Sequence, residues 1–120
     1  MKVPLYRIAH VRSGDKGNTA IVGVFAYTRD FYPLLAAQLT SDQVDNVYGA
    51  AVTGKVSRYE VPSIDALNFT LEGALGGGVS RSLSLDTFGK ALCARLLSVE
   101  IQVPDRLADQ LRDRKSESGA

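Results

Sequence analysis

The chain is 120 residues long, 45% apolar and close to charge-neutral, with 14 Lys and Arg against 13 Asp and Glu for a net charge of +1. That length supports one hydrophobic core and not two. The single cysteine, Cys93, excludes a disulfide scaffold, and the balanced charge argues against any overall pull toward nucleic acid or an anionic membrane surface. Met1-Lys2-Val3-Pro4-Leu5 opens without an apolar leader, and no apolar run approaches the roughly 18 residues of a spanning helix. The expectation is a cytoplasmic protein that binds neither membrane nor nucleic acid, since no aromatic and basic platform of the RNA-binding type is legible.

Leu5 to Val11 and Thr19 to Tyr27 are rich in Ile, Val, Phe and Tyr, and read as two adjacent strands joined across a loop, Ser13-Gly14-Asp15-Lys16-Gly17-Asn18. Pro33 opens a helix carrying Leu34, Leu35 and Leu39. Thr40 and Gln43 then form a capping box for a second short helix through Val44, Val47 and Tyr48, with Gly49 at its exit. Lys55 to Val61 alternates as a third strand, which Pro62 ends.

Residues 64–75 fit two periods. Leu67, Phe69 and Leu71 repeat every second residue, as in a strand, whereas Ile64, Leu67, Leu71, Ala74 and Leu75 recur at helical spacing. The larger set, with Ser63 as N-cap and the Gly76 to Gly78 run as C-cap, favours a helix, although Gly73 costs it about 1 kcal/mol. Ser80 to Leu85 reads as a fourth strand. Asp86 caps a last helix whose face carries Phe88, Leu92, Leu96 and Val99 and which ends before Pro104. The order predicts an α+β, ferredoxin-like two-layer sandwich of about four strands with helices on one face. One domain is expected over 1–104, followed by a charged, partly disordered tail over 105–120 in which Leu107 and Leu111 suggest a last helical turn or two.

The chemistry concentrates in two glycine-rich stretches. In the first, Ser13, Lys16 and the N–H groups around Gly14 and Gly17 suit a carboxylate or phosphate, with Asp15 orienting Lys16 and Arg12 adding a planar cation. The alternative is a tight turn with solvated charges. The second stretch offers the N–H groups of Gly76, Gly77 and Gly78 beside Ser80 and Arg81. Its alternative is a helix C-cap, the wrong dipole end for an anion. Neither is a nucleotide fingerprint: Gly14-Asp15-Lys16-Gly17 lacks the spacer and following hydroxyl of a phosphate-binding loop, and Arg81 stands where a dinucleotide motif needs glycine.

His10, the one histidine, is placed to act as a general base with Asp15 or Asp65 as orienter, or is a strand residue satisfied by the backbone. Cys93 has no His near it in sequence and reads as an inert thiol. Asn68 sits among apolar neighbours and needs partners for its amide, which makes it a binding candidate. No metal site is expected.

Ile8-Ala9-His10-Val11-Arg12-Ser13-Gly14-Asp15-Lys16-Gly17-Asn18-Thr19-Ala20, together with Ala66-Leu67-Asn68-Phe69-Thr70-Leu71-Glu72-Gly73-Ala74-Leu75-Gly76-Gly77-Gly78, resembles the ferredoxin-fold domain at the C-terminus of acyclic terpene utilisation protein A. Arg81-Ser82-Leu83 and Leu85-Asp86-Thr87-Phe88-Gly89-Lys90 extend the resemblance, which runs from about Val3 to about Pro104. "Ferredoxin" there names topology, because one cysteine cannot hold an iron-sulfur cluster that needs about four ligands. The resemblance implies a free-standing small domain beside a separate larger protein, in catabolism of branched or terpenoid acids as coenzyme A thioesters. No cofactor is evident, and a coenzyme A thioester is the implied substrate. The functional expectation is the small subunit of a two-component enzyme, with hydratase or other lyase chemistry. The alternative is a non-catalytic interaction or oligomerisation module that stabilises a larger partner or a homo-oligomer.

Overall fold

The computed structural model describes residues 1–16, 19–49, 52, 54–73 and 93–112. Eight of its elements carry the architecture: β1 (Lys2–Pro4), β2 (Ala9–Lys16), β3 (Thr19–Ala26), α1 (Tyr32–Gln38), α2 (Ser41–Tyr48), β4 (Val56–Val61), β5 (Ala66–Glu72) and β6 (Glu100–Gln102). A four-stranded antiparallel sheet has the order β2-β3-β5-β4, and β1 pairs with β6 in a separate two-stranded sheet. The α+β ferredoxin-like arrangement expected from the sequence is therefore observed, with the β1–β6 pair as an unforeseen addition.

Alternation along the strands decides which face is covered. Val22 and Val24 of β3 and Leu67, Phe69 and Leu71 of β5 are buried, and they meet Phe31, Leu35, Leu39, Val44, Tyr48 and Leu96 from the helical layer. Pro33 stands in the first turn of α1, where its missing N–H costs nothing. The Thr40 hydroxyl accepts the Gln43 N–H at 3.1 Å and caps α2, and Gly49 at φ 51° ends that helix. Both helices thus begin where the sequence places them. Arg58 reaches from β4 to donate to the Ala36 carbonyl at 3.0 Å and pairs with Glu60 at 2.8 Å, which sets a cation at the C-terminal end of α1.

The largest departure is at 64–75, where the helix expected from five spaced apolar residues is the strand β5. Hydrogen-bonded neighbours on both sides, β3 and β4, satisfy its backbone, and its inward residues Leu67, Phe69 and Leu71 follow the period of two. Ile64, counted toward the helix, is 57% exposed. Ser63 caps nothing: it lies in a 3-10 turn, Pro62–Ile64, after which Asp65 reverses the chain at φ 55°. Gly73, at φ 74°, follows the last residue of β5.

Two boundaries also move. Leu5–Arg7 is a 3-10 turn, so the strand expected from Leu5 begins at Ala9. Residues 93–97 are helical and Leu96 is buried, but Val99 lies beyond the helix, at the entrance to β6. The expected strand Ser80 to Leu85 and the helix start at Asp86, with Phe88 and Leu92, lie outside the described residues.

At the C-terminal end Asp105–Gln110 forms a 3-10 turn with Leu107 buried, the short helical turn anticipated there. This segment is tied back to the body. Thr28 Oγ1 donates to Gln110 Oε1 at 2.9 Å, Gln110 Nε2 donates to Asp30 Oδ2 at 3.0 Å, and Arg7 and Arg112 exchange bonds through Arg112 N to Arg7 O at 2.9 Å and Arg7 Nε to Arg112 O at 3.0 Å. β6 is held on its second side by Gln38, whose amide donates to Gln102 O at 2.9 Å and accepts from Gln102 N at 2.8 Å.

Leu71→Ala should lower unfolding free energy by about 2 to 5 kcal/mol through the cavity left in the core, whereas Thr70→Ala, on the opposite face of β5, should stay within about 1 kcal/mol. Urea midpoints of the two variants separate the strand from a helix, in which the two residues would not face opposite sides. Tyr32 supplies a second test. Its hydroxyl is sealed from water without a hydrogen-bond partner among the described residues, and burial, followed by the nearby Glu60 charge, raises its pKa. Tyr32→Phe removes an orphaned polar atom and should stabilise the fold by about 1 kcal/mol or more, read as a higher urea midpoint.

Candidate functional site

The stretch expected as the first loop is mostly strand. Ser13, Gly14, Asp15 and Lys16 pair in register with Val22, Ile21, Ala20 and Thr19, so only residues 17 and 18 are left to connect β2 to β3. Ladder alternation turns Arg12 and Ser13 to opposite faces of the sheet. Gly14 does not need to be glycine: a Cβ there would meet nothing within 4 Å. Residues 13–16, expected as part of a loop, are the end of an eight-residue strand at the edge of the described sheet. Gly17, Gly76, Gly77, Gly78, Ser80 and Arg81 lie outside the described residues.

What the sheet does bring together is a set on the face away from the helices. Cross-strand register places Arg12, Gly23, Asn68 and Tyr59 in one lateral row, with His10, Phe25, Ala66 and Val61 in the next. Arg12 is exposed and Tyr59 is 53% exposed, while Asn68 is half-buried at the centre. Neither the Arg12 guanidinium nor the Asn68 amide has a hydrogen-bond or ion-pair partner among the described residues. The two candidates Arg12 and Asn68, distant in sequence, are thus neighbours but one across β3.

The aromatic part of this face is ordered by a missing side chain. A Cβ on Gly23 would lie 2.8 Å from Phe25 Cε1 and 3.1 Å from its Cζ, so the Phe25 ring leans over the Gly23 backbone. His10 stacks on that ring with centroids 5.0 Å apart and planes 12° apart, and Tyr27 lies 5.7 Å from His10 at 35°. The Arg112 guanidinium sits 4.2 Å over Tyr27, which connects the C-terminal segment to the same surface. Phe25, Tyr27 and Tyr59 were not recognised as a surface in the sequence. The isolated Gly23 inside an apolar strand was the available signal, since such a glycine marks a close approach.

His10 is electrostatically prepared to be neutral. Burial, then the positive charges of Arg12 and Arg112, lowers its pKa from the ordinary 6.5. No carboxylate bonds its ring among the described residues: Asp65 instead lies 3.9 Å from Arg29, and its backbone carbonyl accepts from Ala26 N at 3.0 Å. Cys93 is half-buried near Tyr48, whose buried hydroxyl has a raised pKa, chiefly through desolvation and then through the Cys93 charge. No group of His, Cys, Asp and Glu side chains able to hold a metal occurs among the described residues. Nor is any helix among them long and apolar enough to cross a membrane.

Residues 3–102 match the model of the AtuA ferredoxin-like domain. The chain belongs to that family. The match covers β2 through β6 and all of β1 except Lys2, and so includes both the four-stranded sheet and the strand pair that closes the fold. No curated protein and no solved structure matches the chain. Within this AtuA ferredoxin-like domain the exposed sheet face, rather than a loop, is the described surface that collects chemically versatile side chains.

Because the folded His10 has the lower pKa, the unfolded chain binds more protons there, and the folded state loses stability as pH falls from above 6.5 through the folded value. His10→Gln should flatten that limb of the stability profile. With one histidine in the chain, an NMR titration reads its pKa directly, and Arg112→Ala should raise it.

Proposed function

We propose that this AtuA ferredoxin-like domain is the accessory subunit of a two-component enzyme whose substrate is an anionic carboxylate or its coenzyme A thioester. The solvent-facing side of the sheet forms one wall of a site that a larger protein completes. The observation that carries the reading is the placement of a cation, Arg12, and an amide, Asn68, both without a partner among the described residues, in one lateral row of an exposed sheet face near His10. A cation and an amide donor are what binding and polarising a carboxylate or thioester carbonyl requires. A neutral imidazole beside them can take a proton, the step that hydration or another lyase reaction needs from a base. Lys16 and the residues of the second glycine-rich stretch, Gly76, Gly77, Gly78, Ser80 and Arg81, complete the anion-binding set in this reading.

A second reading has its own observation. Among the described residues β2 and β4 are the edge strands of the larger sheet, and Tyr59 and Ile64 expose more than half their surface at the β4 edge and the turn that follows it. Unpaired edges and exposed apolar side chains suit a module that works only by docking to a larger protein or to its own copies.

One experiment separates them. Affinity capture from the native cytoplasm should recover one dominant larger protein. The reconstituted pair carrying Arg12→Ala or Lys16→Ala should keep its association but lose about ten- to a hundred-fold in turnover, the equivalent of one charge-assisted contact of about 1.5 to 3 kcal/mol. Unchanged turnover in both variants would leave the docking module as the function.

A further inference from the structure

The free side of β4 is a row of backbone donors and acceptors whose direction the ladders fix. Between β3 and β5, Ala26 N donates to Asp65 O at 3.0 Å, so Asp65, Leu67, Phe69 and Leu71 turn their N–H and C=O groups toward β3, and Ala66, Asn68, Thr70 and Glu72 turn theirs toward β4. Glu72 N donates to Lys55 O at 3.0 Å in agreement. By the β4–β5 register, Ser57, Tyr59 and Val61 commit their groups to β5, whereas Val56, Arg58 and Glu60 point theirs outward. Among the described residues no strand lies beyond β4. Its composition does little to protect that edge, since Val56, Tyr59 and Val61 favour strands and no lysine interrupts the six residues.

A second copy of β4 can take up those groups by lying antiparallel about a twofold axis normal to the sheet, and few registers are open to it. The axis must pass through a residue, because opposed residues in a ladder share a face. Placed at Arg58 or at Glu60, it sets like charges directly against each other. Placed at Ser57, it leaves Glu60 opposite Gly54. Placed at Tyr59, it sets Arg58 of each copy against Glu60 of the other. The outward residues Arg58 and Glu60 then form pairs that exchange both N–H···O bonds, while Tyr59, whose own groups face β5, sits at the axis in the closer, non-bonded kind of pair. The side chains agree with the backbone. Arg58 pairs with Glu60 of its own strand at 2.8 Å, and the Glu60 side chain is more than half exposed, so the two copies meet as a ring of alternating cations and carboxylates. Tyr59, itself 53% exposed, is covered by its counterpart. Pro62, which has no N–H, ends the ladder opposite Val56. The other edge, β2, has no equivalent: an axis at Arg12 opposes two arginines, and one at Ser13 leaves Arg12 against Gly14.

We infer that β4 is a homodimer interface, pairing antiparallel with β4 of a second copy in the register that places Tyr59 on the twofold axis and Arg58 opposite Glu60. The inference rests on the docking reading above and names its occupant and register. It also extends the exposed face of the sheet. The lateral row of Arg12, Gly23, Asn68 and Tyr59 continues through the axis into the same row in reverse, so the faces of both copies form one surface with an Arg12 toward each end.

The test uses the whole chain, first by light scattering across a range of concentrations, where a species of twice the chain mass is expected. Glu60→Lys, at an exposed position, opposes two cations on each side of the axis and should weaken the dimer by about tenfold or more. Tyr59→Asp, which opposes two carboxylates at the axis, should do the same. Mixed one to one with Arg58→Glu, the Glu60→Lys chain should recover a dimer that neither forms alone, because unlike charges again face each other at both positions. Cross-linking reads the register directly. In a Cys93→Ser background, Tyr59→Cys should form an intermolecular disulfide on mild oxidation. Ser57→Cys and Val61→Cys chains should cross-link with each other but neither with itself, since only directly opposed residues bring their Cα atoms within the roughly 4.4 to 6.8 Å that a disulfide spans. Arg58 also holds the end of α1, so the cross-linking arm decides if Arg58→Glu fails to fold. A monomer at every concentration overturns the inference, as does a dimer that is indifferent to Glu60→Lys or that forms neither cross-link. A monomer that still captures one larger protein, with capture lost in Tyr59→Asp, overturns the second copy as occupant and leaves the docking reading standing. A monomer that captures nothing removes both.

Discussion

β5 is hydrogen-bonded along its length to β3 on one side and β4 on the other, and that double pairing sets the register from which both surfaces of the sheet follow. With Leu67, Phe69 and Leu71 committed to the core, Asn68 and Thr70 have no choice but the solvent side, and the partner strands inherit the same division. A slip of one residue would bury Asn68 and expose Phe69, exchanging an apolar core position for an amide without partners. The energetic penalty of that exchange, more than any local preference of the segment, holds the strand in place.

The same register assembles the candidate site. Arg12, Asn68 and Tyr59 belong to three strands and to widely separated parts of the chain, yet they occupy one lateral row because the ladders align their positions. The row is accessible because the described helices pack on the other face. Its neighbour is ordered by stacking, in a sequence that runs from Phe25 to His10, to Tyr27 and on to Arg112. The C-terminal segment therefore does double service, closing over Tyr27 and contributing charge to the surroundings of His10.

Much of the fold could be read from residue types with strong local rules. Pro33, the Thr40 cap, Gly49 and Pro62 act within a few residues of themselves, and the elements they bound stand where those rules place them. Residues 64–75 failed because their apolar spacing satisfies both periods, and the decision between them rests with β3 and β4, which a local window does not contain. β1 and β6 were missed for a related reason: three residues each, they become strands only by finding one another. For the site, Asn68 was legible as a polar residue among apolar ones, and Arg12 as a cation beside glycine. The aromatic side chains on the same face were not, because Phe25 and Tyr59 look like ordinary strand residues until the sheet order brings them onto one surface.

The β1–β6 pair joins Lys2 to Gln102, so nearly the whole chain forms the loop that it closes. The β2–β3 hairpin closes across two residues. Loop entropy rises with the logarithm of length, so the hairpin can form early and alone, whereas the terminal pair gains its bonds only after the intervening chain is already compact. The Gln38 amide belongs to that late stage, since it can engage β6 only once α1 is seated. Interactions made this late are absent from the folding transition state and act on the rate of opening. The small sheet is therefore a kinetic clasp: it has little influence on how fast the molecule folds and a large one on how long it stays folded.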